Sequence, residues 1–310
     1  MKKLLSVLLC FTLLFGAGAA AFAAVGAPAS PSPDGAFFTY GDYTLHYRVV
    51  PAEEPRGQIL LLHGFGQSSY AWGNTAKLLA EGGYTCVLAD LPDFGYSSRE
   101  DAATTLLPRE TLCMALMDSI SPEPWIVAGH SMGGYTAIAL AVQYPERVKT
   151  LLLYGTSGYD GMPAAVTALL RTPLAAKALG GFMEAFGKNP LVIRMLLKAA
   201  LQDDAYAAAY DSAAIIEPFR TPGTGMGAVY NVTMLTPTDY AALYRLSPVL
   251  LMRGDRDLVI REEAVDRLRA ALPVGSSEHI VRGGGHMFIE NRAEETARCT
   301  LAFLEAHPIL

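Results

Sequence analysis

Short apolar runs recur along the chain and are separated by loops and by stretches with helical periodicity. The runs show no alternation of polar and apolar residues, which is typical of strands buried on both faces of a parallel sheet. Because helical stretches follow most of the runs, the order predicts an α/β fold with a mostly parallel central sheet and helices on both faces. The predicted strands of this kind are residues 58–62, 85–89, 125–128, 148–154, 249–253 and 278–281.

An aromatic and β-branched segment precedes these strands. Residues 37–40 and 43–50 are separated by Gly41-Asp42, which predicts a hairpin at the start of the sheet. The helices predicted between the strands are residues 68–81, 106–120, 135–144, 261–271 and 290–306.

The alternating pattern breaks between residues 156 and 246, where no apolar run of the strand kind occurs. This segment is rich in Ala, Leu and Met with helical periodicity, and Pro and Gly interrupt it. It is too apolar to remain disordered, so it must bury a face against the rest of the protein. We therefore predict a helical cap insertion over residues 156–246, within an α/β core formed by residues 37–155 and 247–310.

Residues 1–24 have the three parts of an export signal: two early lysines, an apolar core over residues 4–15, and an Ala-x-Ala pattern directly before Ala24. A Pro-rich linker is predicted over residues 25–36. We predict cleavage near Ala24 and a mature protein in the periplasm or outside the cell. The alternative is an uncleaved N-terminal membrane anchor, since apolar and small residues extend to about Val25.

Charge and cysteine usage exclude several classes of function. The 310 residues carry a net charge of -6 without a basic stripe, which argues against a nucleic-acid partner. The four Cys lack Cys-x-x-Cys spacing and the six His are scattered, so we expect neither a metal site nor an organic cofactor. Loss of the signal would leave an odd number of Cys and hence at least one free thiol. The expected partner is a small molecule, and no obligatory protein partner is inferred.

Gly-His-Ser-Met-Gly-Gly, at residues 129–134, lies between a predicted strand and a predicted helix. Glycines on both sides of Ser131 permit a sharp turn that projects the serine hydroxyl outwards. The N–H of Met132, at the start of the helix, can donate to a developing anion. The sequence thus predicts a nucleophile elbow with Ser131 at its apex.

A serine hydroxyl needs a base and an orienting anion to act as a nucleophile. His286 is the candidate base, because it follows a late strand and reaches the sheet edge where the elbow opens. The anion is Asp255 or Asp257, and both follow the strand at residues 249–253. The Gly-flanked N–H of Phe65 is the candidate second donor, beside Met132, of an oxyanion hole.

These motifs together resemble the α/β-hydrolase fold superfamily, in its cap-bearing serine hydrolase branch. The resemblance covers residue 37 to the C-terminus, and the order Ser131, Asp257, His286 is that of the family. It favours Asp257 over Asp255, and it implies a helical cap where residues 156–246 lie. Asp93 is a departure, since relatives commonly carry Gly there; its carboxylate is expected either near the pocket mouth or in solvent. The motifs that carry the resemblance are residues 63–66, 90–97, 129–134, 254–257 and 285–286.

The expected function is an exported serine hydrolase that cleaves a carboxylic ester or related acyl substrate through an acyl-enzyme. A Ser nucleophile argues against dehalogenases and epoxide hydrolases, which use a carboxylate at the elbow. Carbon–carbon bond hydrolases, peptidases, acyltransferases and cofactor-free haloperoxidases remain alternatives, as does a binding protein with an idle site. The apolar cap suggests a substrate with an apolar portion, although the same residues are needed to pack helices.

Overall fold

The apolar runs form an eight-stranded sheet in the computed structural model, which describes residues 34–308. The strand order is β1-β2-β4-β3-β5-β6-β7-β8. β1 and β2 pair antiparallel, β2 pairs antiparallel with β4, and all other neighbours are parallel. The strands are β1 (Gly35–Tyr40), β2 (Tyr43–Val50), β3 (Gly57–Leu62), β4 (Tyr84–Ala89), β5 (Trp125–His130), β6 (Val148–Tyr154), β7 (Val249–Gly254) and β8 (Ser277–Val281).

The predicted signal at residues 1–24 and most of the predicted linker lie outside the described residues. At the end of that linker, Gly35 and Ala36 belong to β1, so the hairpin begins two residues earlier than the sequence indicated.

Helices cover both faces of the sheet, as predicted. They are α1 (Gly73–Glu81), α2 (Arg109–Ile120), α3 (Met132–Gln143), α4 (Ala164–Leu170), α5 (Pro173–Gly187), α6 (Pro190–Leu201), α7 (Asp204–Ala209), α8 (Ala213–Phe219), α9 (Thr224–Thr233), α10 (Tyr240–Leu243), α11 (Glu262–Ala271), α12 (Phe288–Asn291) and α13 (Ala293–Ala306). Alternate side chains of β3 point to opposite faces. Leu60 and Leu62 belong to the apolar core that α2, α3 and α11 cover, whereas Ile59 and Leu61 belong to the apolar core on the other face, covered by α1 and α13.

Several helix boundaries differ from the prediction. The first predicted helix is a 3-10 turn (Ser69–Trp72) followed by α1. α2 begins at Arg109 instead of residue 106, because Pro108 has an extended backbone and also disfavours helical geometry in the residue before it. The elbow helix begins directly after Ser131, and the closing helix is divided into α12 and α13 at Arg292.

Between β6 and β7 the described chain contains seven helices, α4–α10, and no strand. Two prolines that interrupt the apolar pattern of this insertion lie at the N-termini of helices. Pro173 and Pro190 occupy the first turns of α5 and α6, and the side chains of Thr172 and Asn189 cap these helices.

Polar contacts connect the insertion to the core loop that follows β4. Arg99 donates from Nε to Thr224 Oγ1 (2.7 Å) and from Nη2 to the carbonyl of Pro218 (3.0 Å). Asn231 Nδ2 donates to the carbonyl of Pro92 at 2.8 Å. None of the helices within residues 34–308 has the length and apolar content needed to cross a membrane.

Candidate active site

The turn between β5 and α3 forces Ser131 into an unusual backbone conformation. Its φ of 52° and ψ of -119° lie outside the regions that non-glycine residues ordinarily adopt. The flanking glycines make the turn possible, since a Cβ on Gly129 would lie 2.3 Å from the carbonyl oxygen of Gly133. A Cβ on Gly133 would lie 2.4 Å from the carbonyl oxygen of Leu62. Close packing of β3, β5 and α3 therefore fixes the position of the serine.

Ser131, His286 and Asp257 come together at the carboxyl edge of the parallel strands. The Ser131 hydroxyl lies 2.9 Å from Nε2 of His286, and Nδ1 of His286 lies 2.8 Å from Oδ2 of Asp257. The three residues follow β5, β8 and β7, whose carboxyl ends meet at one edge of the sheet. The arrangement matches the spacing of a nucleophile, a base and an orienting anion.

Asp257 is held as an anion. Its side chain is only 3% exposed, and its Oδ1 accepts the N–H groups of Val259 (2.7 Å) and Ile260 (2.9 Å). Burial alone would raise the pKa of Asp257, but the hydrogen bond and charge of His286, together with the two N–H donors, outweigh burial and lower the pKa.

Asp255 makes different contacts. Its Oδ1 accepts the N–H of Gly283 at 2.7 Å, and its Oδ2 lies 3.5 Å from Nη1 of Arg282. Asp255 therefore holds the loop before His286 in place, whereas Asp257 touches the imidazole itself.

The two predicted oxyanion donors belong to the elbow helix and to the loop after β3. Met132 is the first residue of α3, so its N–H has no acceptor within the helix. The Gly64-Phe65-Gly66 loop follows β3 and lies against the elbow, since a Cβ on Gly64 would be 3.2 Å from the Cβ of Ser131. Phe65 also lines the cavity that contains Ser131.

A cavity of about 400 Å³ opens onto Ser131 and His286. More than half of the residues that line it come from the helical insertion, and most of these are apolar. They include Phe182, Phe186, Ile193, Leu197, Ile215 and Phe219. The nucleophile therefore faces an apolar pocket that the core and the insertion form together.

Residues 57–293 match the family model described as alpha/beta hydrolase fold. The chain belongs to this family. The fold resemblance drawn from the sequence is therefore confirmed, and the matched segment of this α/β hydrolase contains Ser131, Asp257 and His286.

Individual relatives agree with the family match. Lipase 1 of Psychrobacter immobilis is 27% identical over 259 residues, which is 79% of this chain and 76% of that protein. The abhydrolase domain-containing protein abhd-5.2 of Caenorhabditis elegans is 37% identical over 119 residues, but these are 37% of this chain and only 26% of that protein. The crystal structure of a membrane phospholipase A superposes with a TM-score of 0.67 at 24% identity, covering 88% of this chain and 86% of that one. These relatives share the fold that the family model identifies.

In this α/β hydrolase, Asp93 lies neither at the pocket mouth nor in solvent. Its side chain is fully buried, its Oδ1 accepts the N–H of Glu100 at 2.7 Å, and its Oδ2 lies 3.5 Å from Nη2 of Arg109. Burial and then the charge of Glu100 raise the pKa of Asp93, and the charge of Arg109 offsets only part of this. The φ of 74° at Asp93 explains why glycine suits this position. Its carboxylate is part of a buried ionic cluster and does not contact the cavity.

Two histidines within the motifs that carry the family resemblance are also fully buried beside the site. Nε2 of His63 accepts the N–H of Leu91 at 2.9 Å, and its Nδ1 donates to the carbonyl of Gly64 at 2.8 Å. Burial lowers the pKa of His63, which keeps it neutral in this structural role. The ring of His130 lies 4.8 Å from the ring of His286, a proximity that no local pattern indicated. Within the described part of the chain, no cluster of three or more His, Cys, Asp or Glu could hold a metal ion.

Proposed function

We propose that the protein is a serine hydrolase that cleaves a carboxylic ester or a related acyl substrate through an acyl-enzyme intermediate. The observation that carries the proposal is the continuous contact from Ser131 through His286 to Asp257 beside an apolar cavity. These groups are suited to acyl transfer, because they activate a hydroxyl next to a pocket in which an apolar acyl chain can bind.

In the first half of the reaction, Ser131 Oγ attacks the carbonyl carbon of the ester while Nε2 of His286 takes the hydroxyl proton. The carbonyl oxygen becomes an anion that accepts hydrogen bonds from the N–H groups of Phe65 and Met132. When the carbon–oxygen bond of the leaving group breaks, His286 gives its proton to the departing alkoxide. The products of this half are an alcohol and an acylated Ser131.

In the second half, water attacks the acyl carbon while His286 takes a proton from the water. The tetrahedral intermediate then collapses, the acid leaves, and the proton passes from His286 to Ser131. Asp257 remains ionised throughout, since its pKa is lowered, and it stabilises the imidazolium that forms in each half.

The cavity favours a substrate with an apolar acyl group of modest size. A volume of about 400 Å³ is near the lower end of the range of about 300–1,000 Å³ that ligand pockets usually have. In this proposal residues 156–246 act as a cap over Ser131, excluding water and selecting the acyl chain. Export after cleavage near Ala24 would place the enzyme in the periplasm or outside the cell, and an uncleaved signal would anchor it to a membrane.

A fluorophosphonate probe tests the nucleophile. The probe should label the wild-type protein and the control variant Ser119→Ala, whose serine lies on α2 away from the cavity, but not Ser131→Ala. On an ester substrate, Ser131→Ala should lower kcat by a factor of about 10⁴ or more with the fold retained. Labelling and turnover that persist in Ser131→Ala would exclude the proposed mechanism.

A substrate panel tests the reaction class. We expect p-nitrophenyl esters to be hydrolysed, with a preference for acyl chains that fit the cavity, and aminoacyl naphthylamides to be poor substrates. Hydrolysis of the naphthylamides in preference to the esters would identify a peptidase instead. A folded protein that neither reacts with the probe nor hydrolyses any ester would indicate a binding protein with an idle site.

A further inference from the structure

His130, the last residue of β5, lies between the loop of the candidate base and the loop of a candidate oxyanion donor. Its side chain is only 1% exposed. Its Nε2 lies 2.8 Å from the backbone carbonyl oxygen of His286, and its Nδ1 lies 2.9 Å from Oε1 of Gln67. The ring is therefore in contact with both loops, directly behind the nucleophile.

Gln67 holds the oxyanion loop from the other side. Its Oε1 accepts the N–H of Gly64 at 2.9 Å, one residue before the N–H of Phe65. The Gln67 side chain is mostly buried and lines the same cavity as Ser131. Gln67 and His130 therefore lie side by side between Gly64 and the backbone of His286.

The chemistry of these groups assigns the proton of His130. A backbone carbonyl only accepts hydrogen bonds, so Nε2 must carry the proton and donate to His286. Burial and then the charge of His286 lower the pKa of His130 to about 3, so the ring is neutral and has no second N–H. Its contact with Gln67 then adds no hydrogen bond. The single donor of His130 is committed to the His286 backbone.

The backbone at His286 needs such a support. Three glycines precede it, and Gly283 has a φ of 70°, so this loop is intrinsically permissive. Asp255 fixes the start of this loop at Gly283, and two hydrogen bonds hold the peptide group between His286 and Met287. His130 binds the carbonyl of His286 from the core, and the carbonyl of Ala200 accepts the N–H of Met287 at 3.0 Å from the insertion. A displacement of about 1 Å in such a site is enough to slow a reaction about 100-fold.

We propose that His130 and Gln67 are positioning residues for acyl transfer. His130 fixes the imidazole of His286 against Ser131, and Gln67 fixes the loop that presents the N–H of Phe65. This inference rests on the proposed serine hydrolase function. The hydrogen bonds of both residues go to the backbone of the groups that they position, and not to the Ser131 hydroxyl or to the imidazole of His286.

Two pairs of variants test the positioning roles of His130 and Gln67, and the two replacement side chains in each pair have similar lengths. His130→Met removes the donor to the carbonyl of His286, whereas His130→Gln keeps an N–H at a similar reach. Gln67→Met removes the acceptor for the N–H of Gly64, whereas Gln67→Glu keeps an oxygen there. Kinetics on an ester are expressed per active site titrated with the fluorophosphonate, so that loss of folded protein does not count as loss of rate.

We expect each Met variant to lower kcat about 10- to 100-fold while KM stays within about twofold, because geometry at the transition state is lost and binding of the acyl chain is not. His130→Gln and Gln67→Glu should recover most of the rate. If His130→Met does not fold, His130→Asn replaces it, since its amide is too short to reach the carbonyl.

Three results would overturn the inference. The first two are a kcat per titrated site within twofold of wild type in the Met variants, and a rise in KM at constant kcat. The third is a loss of kcat in the Met variants that is equally large in His130→Gln and Gln67→Glu. Failure of the proposed function is a separate result, because it would appear as undiminished turnover in Ser131→Ala.

Discussion

Replacing Arg109 by methionine should destabilise the fold by about 3–5 kcal/mol, the range found when one partner of a buried ion pair is removed. The Arg109 side chain is fully buried. It donates from Nη1 and Nη2 to the two oxygens of Glu100 at 2.7 and 2.6 Å, and its Nη2 lies 3.5 Å from Asp93. Methionine fills much of the same space, so the main loss is the cation.

The pH dependence of this loss follows from the two carboxylates left behind. The pKa of Asp93 is already raised by burial and by the charge of Glu100, and removal of Arg109 should raise it further. A carboxyl whose pKa is higher in the folded state binds its proton more tightly there, so stability falls as the pH rises through that pKa. Arg109→Met should therefore lose more stability at about pH 8 than at about pH 5.

Urea unfolding, followed by tryptophan fluorescence, measures the effect, since Trp72 and Trp125 are both fully buried. Arg220→Met is the matched control, because Arg220 pairs with Glu217 at the surface and should contribute less than about 1 kcal/mol at either pH.

Adding Glu100→Gln to Arg109→Met should restore part of the stability, since one of the two unpaired charges is then removed. A loss in Arg109→Met no larger than in the control, or a larger loss at the lower pH, would refute the reasoning.

Three further predictions concern other parts of the chain. Gly180→Ala should destabilise the fold by about 1–3 kcal/mol, because its Cβ would lie 2.4 Å from a backbone nitrogen of α9. Gly181→Ala should stabilise it by about 0.5–1 kcal/mol, because a Cβ there meets no atom within 4 Å. Thermal melts that rank the two variants in the opposite order would contradict this. Asp257→Asn should lower kcat on an ester by about 10⁴-fold and Asp255→Asn by only a few-fold, and the reverse result would reassign the anion. N-terminal sequencing of exported protein should begin near Ala24, and an intact initiator Met on membrane-bound protein would support the anchor.

Local patterns in the sequence were sufficient to predict most of the sheet and the elbow. Buried parallel strands are continuous apolar runs, and a serine between glycines at the end of such a run requires one kind of turn, so both features depend on neighbours in the chain. The same local reasoning placed His286 and Asp257 at one edge of the sheet. It also overlooked a local signal, since Pro108 limits the start of α2.

Only the tertiary structure decided which polar groups meet. Asp255 and Asp257 lie in one short loop and looked equivalent from their residue types alone, and the resemblance to a family was needed to choose between them. In the structure Asp257 hydrogen-bonds to the imidazole of His286, and Asp255 accepts the N–H of Gly283. The sequence also left the environment of Asp93 open, and it gave no indication that His130 supports His286.

Local patterns do not reveal these contacts, because the residues that meet are far apart along the chain. Apolar periodicity reports where a side chain faces, because it reflects contacts within one helix or strand. Ser131 and His286 are 155 residues apart, and His130 and Gln67 are 63 apart, yet each pair lies within hydrogen-bond distance. Such contacts depend on strand order and on how the insertion packs against the core, so they form only when the whole chain has folded.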